Sequence, residues 1–103
     1  MEELIKCIEM FQRNIDNKVG NNEKKSRGFS KSLSIIYTLQ TSLDLEKGGA
    51  VAGDLFRLYE FTRIHIIKDM RKGIVERSEE ALNSLKEIYE TWVTVNAAEK
   101  TNG

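Results

Sequence analysis

The sequence predicts an all-α fold, an antiparallel up-down four-helix bundle forming one domain over residues 1–103. Three observations carry that reading: apolar residues recur at steps of three and four, glycine-bearing breaks divide the chain into four such stretches, and proline is absent. A composition of 40% hydrophobic and 31% charged residues suits packed helices with a heavily charged outer face. A chain this short buries only about 60 to 65% of its unfolded surface, so the core is thin.

The first helix is expected over residues 2–19, where Leu4, Ile8, Phe11 and Ile15 stack on one face. Gly20-Asn21-Asn22 stops it, because these residues tolerate the backbone that ends helices. A second helix is expected over residues 23–43, on Phe29, Leu33, Ile36, Leu39 and Leu43. Ser26, Gly28 and Ser30 weaken its first turns, which predicts a mobile loop within residues 20–28. Asp44 to Gly49 reads as a turn, since adjacent glycines make helical continuation costly.

The third helix is expected over residues 50–72, with Val51, Leu55, Leu58, Tyr59, Thr62 and Ile66 forming one stripe. This helix carries more apolar residues than its stripe holds: Phe56 and Ile67 lie about 100 to 120° from Leu55, and Phe61 and Ile64 lie on the far side. After Gly73, the fourth helix is expected over residues 75–96 on Ala81, Leu82, Leu85, Ile88, Tyr89 and Trp92, with a frayed tail over 97–103. The first helix is short beside the others, which leaves part of its neighbours' surface to be covered by something else.

Little in the sequence points to chemistry. Di-metal bundles need Glu and His three residues apart on two helices, but the one histidine, His65, has Thr62 at that spacing. The single cysteine, Cys7, lies near the apolar face of the first helix and has no paired metal-ligand spacing around it. Covalent catalysis would need a nucleophile beside a base and an orienting group, and only His65 is available as base. Gly48-Gly49 lacks the lysine and hydroxyl pattern of a phosphate loop. The reading is therefore of a protein that is not an enzyme, with no catalytic residue, metal or cofactor.

A formal net charge of +0 supplies no field for nucleic acid or an anionic membrane. The only basic concentration, Lys24, Lys25, Arg27 and Lys31, adjoins Glu23 and has no interleaved aromatic platform, so it reads as a solvated helix start. The longest fully apolar run is three residues, far below the ~20 that cross a bilayer. The lone cysteine and the lack of a signal-like segment point to a reducing cytosol. What remains is a partner gripped by apolar contact, and the surplus apolar residues are the candidates: Phe56, Phe61, Ile64 and Ile67 on the third helix, with Ile5 and Met10 on the first. Leu55, Leu58, Tyr59, Leu85 and Trp92 are assigned to the core.

One stretch is more specific than its periodicity. Residues 39–52, LQTSLDLEKGGAVA, followed by Leu55-Phe56-Arg57-Leu58-Tyr59-Glu60-Phe61, resemble the central signature of the FliS flagellin chaperones: a leucine-aspartate turn, a glycine pair, an alanine, then a leucine-x-x-leucine-tyrosine helix. The resemblance continues through Gly73 into Leu82, Leu85 and Trp92, covers about two thirds of the chain closely, and reaches the first helix only loosely. It implies a cytosolic helical bundle that binds the C-terminal segment of flagellin, keeps it from polymerising and passes it to the flagellar export apparatus. Two departures stand out. Met1-Glu2-Glu3-Leu4 begins near or inside the first helix where family members carry a polar, aromatic-containing arm and a Ser-Pro-Glu start, which reads as a shortened or divergent N-terminus. Asp69-Met70 replaces the family's Ala-Asn near the end of the third helix. The alternative reading is a homodimer or swapped bundle sealed by the spare apolar stripe, with no flagellin-binding activity.

Overall fold

A computed structural model describes residues 1–16 and 20–102, with side chains as far as Thr91. Among the described residues there are four helices and no strand: α1 (Glu2–Arg13), α2 (Asn22–Ser42), α3 (Leu45–Lys72) and α4 (Ser78–Asn102). The architecture is the expected all-α four-helix bundle. Helix α1 packs on α2 and α4, α2 on α3, and α3 on α4, so neighbours in sequence are neighbours in space and α4 closes the ring.

Each boundary has a local cause. Helix α1 ends at Arg13, short of the expected residue 19; residues 17–19 lie outside the described residues. Asn14 ends it, its side-chain amide donating to the Met10 carbonyl (2.8 Å) while its Oδ1 accepts from the Asn21 backbone N–H (3.1 Å). Asn21 then caps α2, its Oδ1 accepting from the Lys24 N–H at 2.9 Å. Helix begins at Asn22, one residue before the expected start, and the weak first turns over Ser26, Gly28 and Ser30 are helical.

Gly28 has a role in this turn that helix propensity does not convey. A Cβ there would stand 2.7 Å from the Cys7 carbonyl oxygen and 2.8 Å from the Phe11 nitrogen, so this glycine admits the backbone of α1 instead of breaking α2. Ser32, one turn on, is fully buried and donates to the Gly28 carbonyl at 2.6 Å. Beside this close crossing the Phe11 and Phe29 rings pack tilted, 5.7 Å apart.

Asp44 caps α3 by accepting from the Glu46 and Lys47 N–H groups. Residues 45–48 make one helical turn where a plain turn is expected, and the break falls at Gly49, whose φ of +56° and ψ of −134° are non-helical. The main body of α3 then runs to Lys72 and ends on Gly73 in the left-handed conformation.

Asp69, 1% exposed, receives the Glu76 N–H at 2.8 Å and the Ser78 N–H at 3.1 Å. It holds residues 73–77 outside a helix, and α4 starts at Ser78 instead of residue 75. Helix α4 continues to Asn102, which corrects the frayed tail expected after residue 96: Ala97, Ala98, Glu99 and Lys100 are strong helix formers. Trp92, expected in the core, has a side chain outside the described residues. Leu4, Ile8, Phe11, Ile36, Ile66 and Leu85 form the centre of the core, each fully buried.

Candidate binding surface

The six candidate residues separate into three environments. Phe56 (37% exposed) and Ile64 (38%) open to solvent on α3. Phe61 and Ile67 on α3, and Met10 on α1, are half-buried. Ile5 is buried, 7% exposed, which corrects its assignment to an open surface. The cause is α4. Glu2 accepts from the Tyr89 hydroxyl, Glu9 pairs with Lys86, and Gln12 donates to Ser78, and Ile5 lies within the arc of α1 that these three residues span. It forms part of the floor of a crevice between α1 and α4, walled by Glu2, Lys6, Lys86 and Tyr89.

On α3 the four candidates do not form one line. At about 100° per residue, Phe56 and Ile67 share a direction, Ile64 stands some 60° round, and Phe61 another 60° beyond it. The Phe56 side faces α2, where the Gln40 amide donates to the Glu60 carboxylate (3.1 Å) and to the Phe56 carbonyl (3.4 Å). Phe61 faces α4. Its ring centre lies 4.3 Å from that of His65, and the Arg77 guanidinium stands over the ring at 5.7 Å. Of these four candidates, Phe56 and Ile64 face outward, flanked by half-buried Ile67 and Phe61.

A second apolar opening lies between α3 and α4. Val51, Leu55, Leu58 and Ile88, with Asp54 at the rim, line a cavity of about 210 Å³. Leu55 is buried, as a core residue should be, whereas Leu58 is half-buried and Val51 is 67% exposed. The sequence reading placed Val51 on the core stripe and missed its exposure. The available signal was its position two residues after the glycine that breaks the helix. Tyr37, 70% exposed on α2, was likewise not singled out.

The one cysteine and the one histidine are both buried. Cys7 is 4% exposed and its Sγ lies 4.0 Å from a Glu3 carboxylate oxygen; burial first, and then the Glu3 charge, push the thiol above its ordinary range. His65 is 8% exposed, and burial together with the Arg77 and Lys68 charges pulls its pKa below 6.5, so the ring is neutral at pH 7. Among the described residues no group of three or more His, Cys, Asp or Glu side chains could hold a metal ion. No helix of the described residues is long and apolar enough to cross a membrane. In the basic cluster, Arg27 pairs with Glu23 and Lys31 with Glu3, as befits a solvated helix start. The exposed apolar residues of α3 are bordered by paired charges, Asp54 with Arg57 and Glu60 with Arg63.

The chain is similar to known proteins in the same sense. It is 30% identical over 73 residues to the flagellar secretion chaperone FliS of Vibrio cholerae serotype O1, an overlap of 71% of this chain and 54% of that relative. The chain thus spans about half the length of the curated relative it matches. No solved structure matches it. The model of the flagellar protein FliS family matches residues 1–99, which takes in α1 as well as the central signature, and the chain belongs to that family.

Proposed function

We propose that this protein is a cytosolic flagellar export chaperone that holds the C-terminal segment of flagellin against its bundle, keeps it from polymerising, and delivers it to the export apparatus. The family match over residues 1–99 is the observation that carries the reading. The surface agrees with it: exposed Phe56 and Ile64 on α3, and the opening around Val51 and Leu58, offer apolar area.

The mechanism is burial against ordering. A client segment disordered until bound loses about 2 to 5 kcal/mol or more on being fixed. Burying four large apolar side chains contributes roughly 6 to 12 kcal/mol in gross terms, enough to offset that loss and leave useful affinity. No covalent step is required, and release needs only a competing site for the same apolar side chains.

The test is thermal unfolding with a synthetic flagellin C-terminal peptide. At a hundredfold excess over Kd, binding adds about 2.7 kcal/mol, which raises Tm by some 10 °C or more in a domain of this size. Ile64→Asp, at a site open enough to leave the fold intact, is expected to remove most of that rise without loss of helical signal. No shift for the unaltered protein at high peptide concentration would reject the function. Light scattering separates the alternative, since a stable dimer indifferent to the peptide would make the apolar surface a self-association face.

A further inference from the structure

Two cations near the C-terminal end of α3 stand on its outward face without an anion of their own. Lys68 and Arg71 are exposed, and among the described residues neither makes an ion pair or a hydrogen bond. The carboxylates around them are engaged elsewhere: Glu60 pairs with Arg63, Glu76 pairs with Lys72 at 2.8 Å, and buried Asp69 accepts the Glu76 and Ser78 N–H groups. A chain whose formal net charge is +0 therefore carries a local positive excess here. The dipole of α3 accounts for cations in its last turn, Arg71 and Lys72, but not for Lys68 one turn earlier.

The excess lies in line with the exposed apolar residues. At about 100° per residue, Ile64, Ile67, Lys68 and Arg71 fall within an arc of about 100°, and Phe56 lies about 20° beyond Ile67. Along the axis the face is apolar first and basic afterwards. Phe56 to Ile64 covers about 12 Å, and Lys68 and Arg71 follow roughly one and two turns further on. Phe56 and Ile64 are open to solvent, so the strip is accessible at both its apolar and its basic end.

Resting on the flagellin reading above, we infer that this face of α3 takes an amphipathic segment of the client whose apolar residues cover Phe56 and Ile64 and whose Asp or Glu side chains, lying beyond those apolar residues, pair with Lys68 and Arg71. The apolar contact supplies affinity, and the two cations fix the direction in which the segment lies along α3.

Calorimetric titration with a synthetic flagellin C-terminal peptide tests this. Lys68→Glu and Arg71→Glu are each expected to weaken binding about three- to tenfold, an effect that fades at 1 M salt, where the Debye length is about 3 Å. Replacing each Asp and Glu of the peptide in turn by Lys should find a position whose loss is restored by one of these variants. Lys72→Glu, at the same helix end but paired with Glu76, is the control and should leave the affinity unchanged. All three sites are exposed, so circular dichroism should show unchanged folding. If the unaltered protein fails to bind, the flagellin reading falls and this one with it. If it binds and Lys68→Glu and Arg71→Glu bind equally well, the flagellin reading stands and the assignment of this face is overturned. A comparable loss in Lys72→Glu, or a loss that no peptide substitution restores, overturns the direct pairing. A dimer that the Lys68→Glu and Arg71→Glu double variant splits, with peptide affinity unchanged, gives the face to a second copy of the chain and overturns the proposal.

Discussion

Replacing Gly28 by alanine isolates the contact on which the α1–α2 pair depends, because propensity and packing predict opposite signs. An alanine inside a helix is worth about 0.5 to 1 kcal/mol over glycine. At Gly28, however, the new Cβ would meet the Cys7 carbonyl oxygen at 2.7 Å, the Phe11 nitrogen at 2.8 Å and the Phe11 Cα at 3.2 Å. All three are backbone atoms, which no rotamer change can move aside. To reach ordinary contact distance the helices must separate by several tenths of an ångström, loosening the packing around fully buried Phe11 and Ile8. Overpacking of this kind costs about 1 to 3 kcal/mol, so the net expectation is a destabilisation of about 1 to 2 kcal/mol, or a Tm lowered by roughly 4 to 16 °C. Gly53, also within a helix, has nothing within 4 Å of its Cβ position and serves as the control: Gly53→Ala should raise Tm by a few degrees. Urea and thermal unfolding of the two variants decide the matter. A Gly28→Ala protein as stable as Gly53→Ala would refute the close crossing.

Three further outcomes are expected. Asp69→Ala leaves the Glu76 and Ser78 N–H groups without their acceptor in a buried corner and should cost about 2 to 4 kcal/mol, with faster hydrogen exchange at both amides as the local readout. His65 has a folded pKa below 6.5, so the unfolded chain binds the extra proton first; stability should be complete above pH 6.5 and fall as the pH drops toward the lowered folded value, a slope that His65→Gln flattens in pH-dependent melts. Cys7, buried and with its thiol pKa raised, should resist a thiol reagent in the native protein and react once urea unfolds it; rapid native labelling would contradict the packing of α1.

Most of the fold was legible because it rests on periodicity, and the misreadings fall where one residue type serves two purposes. Glycine at 49 and 73 breaks or ends a helix, and both roles follow from the sequence, because each flanks an apolar repeat; in the structure both take a positive φ. Gly28 looks the same in sequence but faces another backbone, a property of the α1–α2 pair that no local pattern encodes. Likewise, α4 starts at Ser78 because of an acceptor nine residues earlier, Asp69. Helix α4 continues to Asn102, where the absence of an apolar stripe suggested fraying and the local helix propensity is high.

The surface was harder to read than the core, for a related reason. Counting apolar residues off the main stripe of α3 identifies Phe56 and Ile64, whose exposure depends mostly on their own helix face. Exposure at Ile5 and Val51 depends on where a different helix begins or runs. Ile5 sits off the main stripe of α1 and is covered because α4 passes over that side; Val51 sits on the main stripe of α3 and is exposed just after the break at Gly49. A helical wheel assigns both wrongly, since it treats each face as uniformly covered along its length. The surplus that a bundle offers a partner is thus set by mismatched helix ends as much as by surplus apolar residues.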